Sequence, residues 1–139
     1  MTDRISRAFD DWALLLGRLT LAAIYLPSGF SKLLHLGSFA QGLTNRGVPG
    51  GTLVAVLGAG VEFLGSICII VGFQTRWAAL VMAAFTVAAA LVSHRFWDAD
   101  EAARAMQYIQ FMKNLAITGG FVILFVAGAG RYSVDRRIN

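Results

Sequence analysis

Four apolar segments, each about twenty residues long, constrain this chain more than any other feature of its sequence. They lie at about residues 12–35, 52–73, 76–97 and 109–130. An α-helix rises 1.5 Å per residue, so about 20 apolar residues cross the roughly 30 Å of hydrocarbon in a bilayer. The pattern predicts an all-α fold, an integral membrane four-helix bundle, as a single domain over residues 1–139.

The composition excludes the other common classes of protein. Apolar residues make up 57% of the chain and charged residues 14%, against about 45–50% and 25% in soluble domains. The mean hydropathy is +0.64, whereas disordered chains have a low mean hydropathy. The net charge of +4 does not indicate nucleic acid, because the basic residues cluster at the ends of the apolar segments, where they suit lipid headgroups.

The segments between the spans predict the connectivity of the bundle. Residues 37–51 contain Pro49 and several glycines and are expected to form a turn-rich loop. Residues 72–76 are so few that spans two and three must form a tight antiparallel hairpin. Residues 97–108 are acidic and are expected to be an interfacial loop or a short surface helix. Pro27 is expected to kink the first span.

The distribution of basic residues predicts the orientation in the membrane. An even number of spans places both termini on one side, together with the short loop at Arg76. Six Lys and Arg residues lie on that side and four on the other. The positive-inside rule therefore predicts that both termini are cytoplasmic.

Ionisable residues within the spans are the candidates for function, since a charge at the centre of the hydrocarbon costs about 2.5–3.5 kcal/mol on insertion scales. They are Arg18, Lys32, Glu62, His94 and Lys113. When residues are counted from the outer ends of their spans, the depths of Glu62 and Arg18 in the membrane differ by about 9 Å, which their two side chains together can bridge. We therefore expect an Arg18–Glu62 ion pair, which either serves function or only fixes the register of two helices.

The polar residues of three spans are expected to line one outer-facing cavity. Arg18, Tyr25 and Lys32 repeat every seven residues on one face of the first helix. Gln110, Lys113 and Asn114 share a side of the fourth span, and His94 has a similar depth. With Glu62 as its floor, such a cavity would hold a small oxyanion or the carbonyl oxygens of a quinone headgroup. Candidate ring-stacking walls are aromatic residues near these groups: Phe30, Phe63, Trp97 and Phe111.

Small residues around Glu62, namely Gly58, Gly65, Ser66 and Gly72, are expected to let another helix approach closely. No metal site is expected, because the two histidines, His35 and His94, fall on separate helices. The lone Cys68 has no partner in the chain for a disulfide or a CxxC site.

An ordered set of short motifs resembles the DoxX family of small four-helix membrane proteins. They run along nearly the whole chain as Gly-Arg-Leu at 17–19, Gly-Phe-Ser-Lys-Leu at 29–33, Glu62 with Gly65, Gly-Phe-Gln-Thr-Arg at 72–76, His94, Lys-Asn-Leu at 113–115, and Gly-Ala-Gly-Arg-Tyr-Ser-Val-Asp at 128–135. The resemblance implies a multi-pass protein of the bacterial inner (plasma) membrane that is linked to redox chemistry. Relatives include a subunit of a thiosulfate:quinone oxidoreductase and a mycobacterial member that assembles with superoxide dismutase.

Three functions follow as hypotheses. In the leading one the chain is a quinone- or small-oxyanion-binding subunit of a membrane oxidoreductase, in which Glu62 and His94 handle protons and the remaining polar groups hold the ligand. The alternative is a non-catalytic membrane scaffold that recruits redox or envelope proteins, and a small proton-coupled transporter is the third reading. The glycine-rich faces permit a homo-oligomer.

Overall fold

The computed structural model describes residues 2–138, and it is 82% helical with no strand in that range. Six helices follow one another along the chain: α1 Thr2–Leu34, α2 Leu36–Asn45, α3 Gly51–Val71, α4 Thr75–Ser93, α5 Glu101–Ala127 and α6 Asp135–Ile138. Helices α1, α3, α4 and α5 are long and apolar enough to cross a membrane. The prediction of an all-α four-span protein is confirmed, whereas the side of the membrane that carries the termini stays a prediction.

The fourth spanning helix begins earlier than expected. Residues 97–108 were predicted to be a loop or a separate surface helix, but α5 already begins at Glu101. The Asp100 carboxylate accepts a hydrogen bond of 2.8 Å from the Ala103 backbone amide, which is how an N-cap residue satisfies the first turn of a helix. Residues 101–108 are therefore the start of α5, and the connection between α4 and α5 is confined to residues 94–100.

The prediction of a turn-rich loop over residues 37–51 is wrong for its first half. Helix α2 occupies Leu36–Asn45 and buries Ala40 and Leu43 against Ala55 of α3. Apolar residues three and four positions apart give this short segment one apolar face, and packing on α3 stabilises it. A true turn follows only after Asn45, where Gly47 and Gly50 adopt positive φ.

Helix α1 ends at Leu34, but the chain does not leave the bundle there. His35 breaks the helix with φ −122° and ψ 42°, and its carbonyl accepts a hydrogen bond from the Phe39 amide. Helix α2 then continues along α3 to the level of Gly51, where a Cβ would meet the carbonyl of Ala40. The part of α1 from about Arg18 onward and helix α2 thus together follow α3 over its length.

The helices pack as two main pairs, α1 with α3 and α4 with α5, and α3 joins them by packing on α4. Helices α3 and α4 form the predicted hairpin, which turns at Gly72 with φ 70°. The α1 backbone approaches α3 closely at Gly29, where a Cβ would stand 2.7 Å from the Phe63 nitrogen. Gly65 instead faces the flexible Met82 side chain, and Gly58 faces Phe85. Gly29 therefore brings the α1 backbone against α3 at the level of Glu62.

Candidate functional site

Glu62 and Lys32 form an ion pair inside the bundle. The Lys32 ammonium nitrogen lies 2.5 Å from one Glu62 carboxylate oxygen, and the side chains are 31% and 3% exposed. Glu62 lies about 16 Å along α3 from its first residue, close to the middle of the span. The approach of α1 to α3 at Gly29 places Lys32, one turn further on, within reach of the carboxylate. Each charge here compensates the other in a low-dielectric environment.

The expected Arg18–Glu62 pair is not formed. Arg18 and Lys32 are fourteen residues apart on α1, or about 21 Å along the helix axis, and it is Lys32 that reaches Glu62. The predicted depth of Arg18 was counted from residue 35, on the assumption that this residue marks the outer surface of the membrane. Because α2 continues along α3 beyond that residue, the end of α1 lies near mid-span, and Arg18 lies toward the opposite end.

Tyr25 adds a second polar contact close to this pair. Its hydroxyl lies 2.7 Å from that of Thr86, which donates a hydrogen bond to the Met82 carbonyl. Tyr25 is therefore the donor to Thr86. Tyr25 is 7% exposed, and its ring packs against Phe121. Tyr25 and Lys32 share one face of α1, as the seven-residue spacing predicted.

An apolar cavity of about 480 Å³ lies between α2, α3 and α4, beside Lys32. Of the described residues that line it, Lys32 is the one with a charge, and Ser93 adds a hydroxyl. The Lys32 nitrogen also lies 5.1 Å from the centre of the Phe39 ring, another wall residue. The rest of the wall is mostly aliphatic, including Val54, Leu57, Val61, Ala88 and Val92. The volume is in the range of small-molecule sites, about 300–1,000 Å³.

The polar groups of α5 do not join this cavity. His94, at the end of α4, is hydrogen-bonded to the Gln107 side chain at 3.0 Å. Lys113 donates to Gln110 on the exposed surface of α5, and the Asn114 carbonyl accepts from Thr118. Among the side chains that the structure describes, no hydrogen bond or ion pair connects these groups to Glu62. The single polar cavity expected from the spacing is therefore divided, because α5 packs mainly on α4.

The aromatic residues proposed as ring-stacking walls are also divided. Phe30 pairs with Phe63, with ring centres 6.0 Å apart, on α1 and α3. Trp97 and Phe111 belong to a different cluster around Phe96, at the α4–α5 connection. Neither pair lines the apolar cavity.

Arg18 holds together the end of the bundle that lies away from the apolar cavity. Its side chain is 1% exposed and donates to the carbonyls of Ile70 at 3.1 Å, Tyr132 at 2.8 Å and Ala129. The Ile70 carbonyl lies in the last turn of α3, and Ala129 follows the end of α5. Carbonyls at helix ends lack an intrahelical donor, and a cation there is favourable for the helix dipole.

The segment after α5 folds back onto the α3–α4 turn. The Val134 amide donates to the Val71 carbonyl at 3.1 Å, and the Asp135 amide donates to the Gly72 carbonyl at 2.8 Å. The Asp135 carboxylate accepts from the amides of Gln74 at 2.6 Å and Thr75 at 2.8 Å. Asp135 therefore caps α4 from sixty residues away, a role that Gln74, the local N-cap residue, does not fill with its own side chain.

The environment of Asp135 lowers its pKa. Partial burial alone would raise the pKa, but hydrogen bonds from Thr75 and Gln74, together with the charge of Arg18, lower it below its usual value. A carboxylate with a depressed pKa stabilises the fold at pH values above its unfolded pKa of about 3.9. That stabilisation is lost as the pH falls through the lower, folded-state pKa.

Replacing Asp135 by alanine is expected to lower the free energy of unfolding at pH 7 by about 0.5–2 kcal/mol, the usual cost of losing a helix cap. The difference between wild type and variant should shrink as the pH falls through 4 toward 2. Thermal unfolding in detergent at a series of pH values measures it. Asp98→Ala, which removes an exposed carboxylate from the α4–α5 connection, is the control. An equal pH dependence in both variants would contradict the capping role.

Three motifs that are far apart in the sequence meet at this end. Residues 17–19 supply Arg18, residues 72–76 supply the turn and the start of α4, and residues 128–135 supply two carbonyls and Asp135. Sequence reasoning assigned Arg18 to the ligand cavity and gave Asp135 no role. The feature that could have indicated this role is the segment of residues 128–135, which follows the last span and ends with Asp135.

A bundle of four spanning helices with an ion pair in its interior and an apolar cavity beside it defines a multi-pass α-helical membrane protein with a buried polar site. The family model described as DoxX matches residues 13–95, and the chain belongs to the DoxX family. No solved structure matches the chain significantly.

Several curated relatives agree with this assignment. Inner membrane protein YqjF of Escherichia coli is 34% identical over 133 residues, which cover 96% of this chain and 97% of the relative. Inner membrane protein YphA of the same organism is 32% identical over 124 residues, or 89% of each chain. A membrane protein of Mycobacterium tuberculosis is 26% identical and covers 88% of this chain and 78% of its own length. This chain is a multi-pass protein of the inner membrane.

Proposed function

We propose that this protein is a redox-associated subunit that binds the headgroup of a quinone in the apolar cavity beside Lys32 and Glu62. One observation carries the proposal: Lys32 both pairs with the buried carboxylate of Glu62 and forms part of the wall of an apolar cavity of about 480 Å³. A quinone ring is lipid-soluble and carries two carbonyl oxygens, and the cavity is apolar except at Lys32 and Ser93.

The roles of the two residues follow from their chemistry. The Lys32 ammonium has three donor positions, so it can bond to Glu62 and still donate to an oxygen in the cavity. The Glu62 carboxylate lies in direct contact with the Lys32 ammonium, so a proton can pass between the two groups. A bound quinone would accept two electrons and two protons. The electrons would come from a partner protein, since the described residues contain no group of three or more metal-binding side chains and the chain has one cysteine.

The wall of the cavity favours a quinone over a small oxyanion. An oxyanion has to lose its water on entering and needs several donors in return. Of the described wall residues, Lys32 and Ser93 are the ones with polar side chains. The cations proposed for an oxyanion are elsewhere: Arg18 is bonded to three carbonyls, and Lys113 lies on the exposed surface of α5.

The test is quinone retention by the full chain, purified gently from its own membrane. Quinone is extracted from wild type and from Glu62→Gln, and titration of the stripped protein with a short-chain ubiquinone gives the Kd. We expect wild type to retain quinone and Glu62→Gln to bind it at least tenfold more weakly, because Lys32 loses its partner. Glu101→Gln removes the other glutamate, which is exposed at the start of α5, and is the matched control.

Two outcomes would overturn the proposal. The first is an unchanged Kd in Glu62→Gln. The second is a protein that never retains or binds quinone but copurifies with a stoichiometric protein partner, which would support the scaffold function instead. His94→Ala is expected to leave the quinone Kd at the wild-type value, because His94 is bonded to Gln107 and does not line the cavity.

A further inference from the structure

A second cavity, of about 380 Å³, lies at the Arg18 end of the bundle, between the start of α4 and the segment after α5. Its wall includes Thr75, Arg76, Trp77, Gly128 and Arg136. Because α3 ends at Val71, α4 begins at Thr75 and α5 ends at Ala127, this cavity lies where three spans leave the hydrocarbon. Trp77 is 65% exposed, as is usual for tryptophan at the membrane interface. We call this space the basic cavity.

Two arginines line the basic cavity without any internal partner. The guanidinium groups of Arg76 and Arg136 make no hydrogen bond or ion pair with any group in the described part of the chain, and both residues are exposed. The Asp135 carboxylate also lines the cavity, but both of its oxygens accept amide hydrogen bonds from the α4 terminus. The cavity therefore keeps a net positive charge and a set of available donors.

Local geometry holds one of these arginines over the cavity. A Cβ on Gly128 would lie 3.5 Å from the Arg76 Nε, so Arg76 extends across the glycine at the end of α5. Gly128 has φ 80°, a conformation that favours glycine. The amides of Arg76 and Trp77 lie in the first turn of α4, where helix geometry provides no intrahelical acceptor. The two guanidinium groups match the oxygens of a phosphate, whereas the start of α4 itself is already capped by the Asp135 carboxylate.

We propose that the basic cavity binds the phosphate group of an anionic phospholipid. The headgroup depth of the cavity and the exposed Trp77 at its wall favour a lipid over a soluble phosphate. The chemistry of recognition would be the same for inorganic phosphate, so the experiment has to separate these two sources. The site is separate from the apolar cavity proposed for quinone, because the two cavities share no wall residue.

The test uses Trp77 as the reporter in the full chain. Trp12→Phe and Trp97→Phe leave Trp77 as the only tryptophan, and the protein is reconstituted into vesicles that contain brominated phosphatidylglycerol or brominated phosphatidylcholine. Bromine quenches tryptophan only at close range, so the ratio of the two quenching efficiencies reports lipid preference. We expect phosphatidylglycerol to quench more strongly and Arg136→Gln to reduce the preference about fivefold, the size expected from one arginine at a lipid surface.

Arg137→Gln is the matched control, because it removes the same charge from the neighbouring residue, which does not line the cavity. A built site predicts that Arg136→Gln and Arg76→Gln each reduce the preference about fivefold, whereas Arg137→Gln leaves it at the wild-type value. Equal losses in the Arg136 and Arg137 variants, or no preference in the wild type, would overturn the proposal. Adding inorganic phosphate at constant ionic strength is expected to leave the preference unchanged. If phosphate abolishes it, the site takes free phosphate and the lipid assignment is wrong.

Discussion

Replacement of Arg18 by leucine is expected to lower the free energy of unfolding by about 3–6 kcal/mol, or about 1–2 kcal/mol for each of the three carbonyls that lose their donor. The guanidinium group is 1% exposed and bonds to carbonyls of Ile70, Ala129 and Tyr132. Leucine has no hydrogen-bond donor, so the three carbonyls near the ends of α3 and α5 would lose the hydrogen bonds that Arg18 donates to them. The segment after α5 should then detach from the α3–α4 turn.

Thermal unfolding of the purified variants in detergent, followed by circular dichroism, measures this loss. Arg104→Leu is the matched control, since Arg104 is exposed and its side chain makes one long hydrogen bond of 3.3 Å, to the Ala99 carbonyl just before α5. Its effect should stay within about 0.5 kcal/mol. Arg18→Lys should fall between wild type and Arg18→Leu, because an ammonium keeps the charge but cannot reproduce the planar fork of donors. Similar stabilities of Arg18→Leu and Arg104→Leu would show that the carbonyl contacts do not hold the bundle.

The second large effect is expected at the ion pair between Lys32 and Glu62. Removing either charge leaves the other without its partner inside the bundle, and breaking a buried pair in this way typically costs about 3–5 kcal/mol. Lys32→Met and Glu62→Gln are therefore each expected to destabilise the protein strongly. The double variant should recover most of the loss, because no uncompensated charge remains.

This comparison also separates the structural role of the pair from a role in binding. If the pair only fixes the register of α1 and α3, the double variant folds and its quinone binding equals that of wild type. If the pair forms the quinone site, the double variant folds and binds no quinone. Additive losses of stability in the double variant would mean that the two charges are not coupled, and the contact at 2.5 Å would have no energetic role.

Several features of the protein could be predicted from local properties of the sequence alone. Four apolar segments of the length of a bilayer predict four spans, because a helix is the simplest way to satisfy the backbone in lipid. The need of Glu62 for a partner follows from the same cost of an unpaired charge. The hairpin at residues 72–76 follows from its shortness. Each of these inferences depends only on one segment of the chain and on the lipid or water that surrounds it.

The partner of each charge depended on how the helices are arranged in three dimensions. Glu62 pairs with Lys32 for two reasons. The helix break at His35 places the end of α1 near mid-span, at the depth of Glu62, and Gly29 lets the α1 backbone approach α3 closely enough for Lys32 to reach the carboxylate. Arg18 binds carbonyls that belong to residues 52, 111 and 114 positions away. A helical repeat specifies which residues share a face, but it contains no information on which face of which helix lies opposite. Close packing of side chains and glycines determines that, and it is a property of the whole bundle.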